Sequence, residues 1–143
     1  MDKLQASYTL LGYSGLSAFV ALALAVALEV PLLGLPATQV FLYYSVAILC
    51  FLSGSLWAQT LSSEAFTPAQ LYLSNALTLL GFACLMLKSS SSALVILASA
   101  FIYLYYCEWH SKNPSRLGKS YQAMRFRLST IVVLSHLVVL GYQ

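Results

Sequence analysis

Polar positions gather into short clusters along this chain, and between them stand five apolar stretches, Tyr8–Leu28, Val40–Leu61, Leu71–Leu87, Ala93–Trp109 and Leu128–Tyr142. Each approaches the ~17–25 residues that a helix needs to cross ~30 Å of hydrocarbon at 1.5 Å per residue. The runs are continuous and do not alternate apolar with polar, which argues against barrel strands. In lipid each backbone N–H and C=O must be satisfied within its own segment, so runs of this kind are helices. The pattern predicts an all-α, polytopic membrane protein: one domain over residues 1–143, a bundle of five transmembrane helices.

Punctuation between the runs agrees. Pro31, Gly34 and Pro36 separate the first two, and Ser89 to Ser92 make a polar turn before the fourth. Thr67 and Pro68 have the chemistry of a cap and a first helical residue for the third. Asn113-Pro114 ends the fourth helix, and Lys119 to Arg127 reads as a short interfacial helix leading into the last span.

Composition sharpens this picture. The chain is 60% hydrophobic and 8% charged, against about 25% charged in a soluble domain. Five basic residues, Lys112, Arg116, Lys119, Arg125 and Arg127, fall between the fourth and fifth spans, so the net charge of +3 is a topology signal and not a nucleic-acid footprint. With that loop inside, Lys3 is inside too and Lys88 alone is outside, six basic residues against one. The expected orientation is N-terminus cytoplasmic and C-terminus on the outer side of the membrane, which is periplasmic for the bacterial inner membrane that the family resemblance below implies. Lys3 before an apolar run, with Ala25-Val26-Ala27 beyond, resembles a signal peptide. Asp2 beside Lys3, and Gly12, Ser14, Gly15 and Ser17 within the run, favour a retained helix.

Polar residues at membrane depth are the candidates for function, because each is costly there. Placed by this topology, Trp57, Asn75, Glu108, Arg125 and Arg127 converge at the cytoplasmic ends of four spans and form a candidate ligand-binding cluster. The competing reading is a structural clamp, with Glu108 paired to Arg127 or Arg125 and the aromatic rings forming an interfacial belt. His136 lies nine residues beyond Arg127, about 13 Å along the axis, and is a mid-membrane polar residue. It suits a proton path or a ligand role, or equally a neutral ring bonded within the bundle. His110 belongs at the surface, so the two histidines do not make a haem pair. Cys50, Cys84 and Cys107 have no metal or disulfide spacing and read as small hydrophobes. No catalytic residue, metal site or cofactor is expected.

The run Tyr44 to Trp57, with Phe51-Leu52-Ser53-Gly54 ahead of the tryptophan, resembles the signature of the domain-of-unknown-function family three-four-two-nine. Leu73-Ser74-Asn75, Glu108 and the Tyr121 to Thr130 stretch are similar in order and spacing. The chain departs from that signature at Ser53, Ser55 and Leu56. The resemblance implies a bacterial inner-membrane protein with mitochondrial relatives and carries no established activity. Together these features describe a non-enzymatic accessory or interaction subunit, its partners being membrane lipids and other membrane proteins or a second copy, with no nucleic acid. The alternative is a protein that binds or transports a quinone, lipid headgroup or ion through the polar cluster.

Overall fold

The computed structural model describes residues 3–62, 68–110 and 118–143, with the side chains of 3–5 and 118–119 outside that description. Among the described residues are five helices: α1 (Lys3–Ala27), α2 (Ala37–Leu61), α3 (Pro68–Leu85), α4 (Ser90–His110) and α5 (Gly118–Gly141). All five are long and apolar enough to cross a membrane. Pro68 opens α3 as expected, whereas Thr67 and Asn113-Pro114 lie outside the described residues. Ser89 caps α4, its Oγ accepting the Ser92 N–H at 3.2 Å.

α5 begins ten residues before the expected Leu128, at Gly118. There is no break between an interfacial piece and the span. Arg125 and Arg127 therefore ride on the body of α5, their long stems lying along the helix while it continues.

The helices form a ring of four with one addition. α1 touches α2 and α5, and α4 touches α2 and α5, so the order around the ring is α1, α2, α4, α5. α3 packs outside this ring, mainly on α2 and less on α4. Gly81 permits that approach: a Cβ there would stand 3.3 Å from Val46 Cγ1. Gly12 does the same between α1 and α5, where a Cβ would meet Leu128 Cδ1 at 3.0 Å. Tyr44 clips α2 to α1 by donating its hydroxyl to the Gly15 carbonyl at 2.8 Å.

Each helix buries one stripe. On α4 it is Leu94, Leu97, Phe101 and Leu104, at spacings of three and four; on α5 it is Leu128, Val132, Ser135 and Val139. Outward positions such as Leu10, Leu24, Phe51, Leu79 and Leu137 are exposed and apolar, as lipid requires. α1 ends in a Schellman turn. Val30 N–H reaches the Ala25 carbonyl, Glu29 N–H reaches Val26, and Glu29 takes the left-handed φ of 54°. A tight Leu32-to-Leu35 turn follows, with Leu33 and Gly34 at φ 53° and 77°.

Candidate functional site

The ends of α2, α4 and α5 nearest residues 61, 110 and 118 form what is called here the basic end of the bundle. Glu108 extends the buried stripe of α4 by one step, four residues past Leu104, and so points inward. Arg125 stands three residues before Leu128 and points inward from α5. The two meet in a bidentate pair: Arg125 Nε donates to Glu108 Oε2 at 3.0 Å, and Nη2 donates to Oε1 at 2.7 Å and Oε2 at 2.6 Å. Their side chains are 9% and 15% exposed. At this depth the low dielectric strengthens the attraction, and desolvation of both groups offsets much of it. What the pair provides is a fixed register between α4 and α5, since removing either partner strands a buried charge.

The partner of Glu108 is thus Arg125, and Arg127 is exposed. Arg127 lies two residues on, about 200° round the helix at 3.6 residues per turn, and so leaves the buried stripe. Trp57 and Asn75 are exposed too, on outward faces of α2 and α3. Asn75 makes no side-chain hydrogen bond among the described residues. The structure brings Glu108 and Arg125 together and leaves Trp57, Asn75 and Arg127 facing outward. At the same end Tyr105, Tyr106, Trp109 and Phe126 border an open groove of about 840 Å³ between α4 and α5, an aromatic lining of the kind found at membrane interfaces. His110 is exposed at the end of α4.

His136 is 1% exposed. Phe41, Phe101 and Phe19 surround its ring, with centroids 4.9, 5.5 and 5.9 Å away. Its Nδ1 lies 2.8 Å from the Val132 carbonyl. A nitrogen facing a carbonyl must carry the proton, so in the neutral ring Nε2 has the bare lone pair. Nε2 is buried with no hydrogen-bond partner among the described residues, and so is Ser45 Oγ. The two share one level. Gln143 Nε2 donates to Thr38 Oγ1 at 3.0 Å, and seven residues inward from that contact along α5 and α2 lie His136 and Ser45, each about 10 Å deeper. Sequence reasoning found His136 but not Ser45 or the phenylalanine cage.

Between the His136 level and the ion pair lies a cavity of about 110 Å³, walled by α1, α2, α4 and α5. Arg125 and Ser129 contribute its polar surface, and none of Trp57, Asn75 or Arg127 lines it. No sequence signal marks this cavity, because it arises from Gly12 and Gly15 of α1 lying across from α5 and α2.

These features define a class: a multi-pass helical membrane bundle, ring-like, with an ion pair at one end of its core and a caged histidine toward the other. Residues 4–141 match the family described as protein of unknown function (DUF3429), and the chain belongs to that family. No curated protein and no solved structure matches the chain significantly.

Proposed function

We propose that this protein is an interaction subunit, which docks a second transmembrane helix on the outward face of α3. The observation that carries this reading is one stripe. Tyr72, Asn75, Leu79 and Phe82 recur along α3 at spacings of three, four and three, with Met86 four residues on, just past the end of the helix, and all are exposed. That period is the one by which helices interdigitate over several turns. Asn75 sits seven residues after Pro68, about 10 Å along the axis. An outward amide in hydrocarbon lacks water, and Asn75 has no partner among the described residues, so it costs a few kcal/mol until something bonds to it. Polar side chains of this kind hold transmembrane helices together. An amide is both donor and acceptor, so two copies of Asn75 satisfy each other across a two-fold axis. A second copy of this chain is therefore the partner the face fits.

The membrane in this reading is a bacterial inner membrane, with the basic end cytoplasmic; the basic loop and the family support both points. Dimerisation in detergent or nanodiscs, followed by energy transfer between labelled copies, tests the docking face. Asn75→Leu should weaken association by about three- to twentyfold, the ~0.6–1.7 kcal/mol of one interhelical hydrogen bond, with the monomer's thermal midpoint unchanged. Unaltered association in that variant would sink the reading.

A further inference from the structure

We infer that the cavity beside Arg125 is a binding site for the carbonyl head of a neutral membrane-soluble molecule of the quinone type, entered sideways between α1 and α2. The entrance follows from burial. Leu11 of α1 and Phe51 of α2 border the cavity and are 70% and 71% exposed, so they stand at a rim open to lipid. The Tyr44–Gly15 hydrogen bond closes the α1–α2 seam on the far side of that rim from the basic end. Phe19 and Phe101 form the inner wall, and behind them lies the His136 cage.

The chemistry of the occupant follows from the polar groups within. Arg125 is buried to more than nine-tenths, yet Glu108 takes only its Nε and Nη2. Nη1 has no partner among the described residues and keeps two N–H donors. Ser129 is the second group. The hydroxyls of Thr130 and Ser135 donate to the carbonyls of Phe126 and Ile131, whereas the Ser129 hydroxyl makes no such bond and borders the cavity. Both groups offer donors, so the occupant presents an acceptor. Glu108 already neutralises the guanidinium, which favours a neutral carbonyl over an anion such as a phosphate headgroup.

Size agrees with that choice. A dry engineered cavity of ~150 Å³ takes a benzene ring, so about 110 Å³ receives the carbonyl edge of a six-membered ring while the rest of the ring and its tail stand in the open mouth. An acyl chain would fit the volume but leave Nη1 and Ser129 unsatisfied.

The site stands independently of the α3 docking face, and its test uses the full chain in detergent. The probe is a decyl-substituted benzoquinone, followed by equilibrium titration, with decylbenzene as the competitor that lacks carbonyls. The wild-type protein should bind the quinone saturably at one per chain, and decylbenzene should not displace it. Leu52→Trp, which fills the cavity from α2, should weaken binding by at least about tenfold. Ser129→Ala should weaken it by about five- to tenfold, the worth of one hydrogen bond, and it leaves the helix contacts in place should the tryptophan variant fold poorly. Absence of saturable binding overturns the inference. So does equal displacement by decylbenzene with Ser129→Ala unchanged, which would make the cavity an acyl-chain slot.

Discussion

Glu29 occupies the position where an α-helix ending in a Schellman turn most often has glycine. Its φ of 54° costs an L-residue about 1–2 kcal/mol, and its carboxylate also faces the negative end of the α1 dipole. Glu29→Gly should therefore stabilise the protein by about 1 kcal/mol, read as a rise of a few degrees in thermal midpoint in detergent. A fall in midpoint would mean that the side chain has a role the backbone geometry does not reveal. Residue chemistry of this kind was only partly legible in the sequence. The inward choice of Arg125 over Arg127 was readable from spacing, because Arg125 is in phase with Leu128 and Val132 while Arg127 is out of phase. Asn75 was misplaced inward because its polarity outweighed its phase with Tyr72 and Leu79. Ser53 departs from the family signature, yet its site still demands a small residue: it is fully buried, and its hydroxyl turns back to the Leu49 carbonyl at 2.8 Å.

Elements were the most legible level, since apolar runs long enough to span a membrane have no other stable conformation in lipid. All five helices end within two residues of expectation. α5 starts ten residues before its apolar run, through the Lys119–Arg127 stretch expected to lead into it, because hydropathy marks where a helix enters hydrocarbon and says little about where it begins winding, and Tyr121 and Met124 extend its buried face ahead of Leu128. The pairing of α4 with α5 could be anticipated as a charge pair but not as a bidentate one. Its energetics make a sharp prediction. Glu108→Leu or Arg125→Met alone should cost about 3–5 kcal/mol, because each leaves one uncompensated buried charge. The double variant should recover most of that loss, since two apolar groups of similar volume replace a pair whose desolvation offsets its attraction. Unfolding titrations of the four proteins decide it, and a double variant as unstable as the sum of the singles would show that the ion pair itself stabilises the bundle.

At the scale of the whole molecule, the five helices place both chain ends at opposite faces. α1 starts at the basic end, and Gln143 meets Thr38 at the α1–α2 turn on the other side. Consecutive helices alternate in direction whichever way the bundle sits, so the docking face on α3 and the port between α1 and α2 survive inversion; only the compartment each loop meets changes. The expected direction rests on the basic residues. In the sequence Lys3, Lys112, Arg116, Lys119, Arg125 and Arg127 fall in segments that this topology puts on one side and Lys88 on the other, so translocating the first group would carry six cations across the membrane against the usual bias. Arg125 weighs less than the others in this balance, because Glu108 neutralises it inside the bundle, yet five against one remains. A periplasm-active reporter fused after Gln143 should accordingly be active and a cytoplasm-active one silent, with the reverse for fusions in the α4–α5 loop. Activity of the cytoplasmic reporter at Gln143 would invert the molecule, and the aromatic groove of Tyr105, Tyr106 and Trp109 would then face the periplasmic leaflet. Replacing Lys112, Arg116 and Lys119 by Gln should erode the preference and yield mixed orientations, because those three residues supply most of the asymmetry, while Glu108 and Arg125, which pair α4 with α5, stay unchanged.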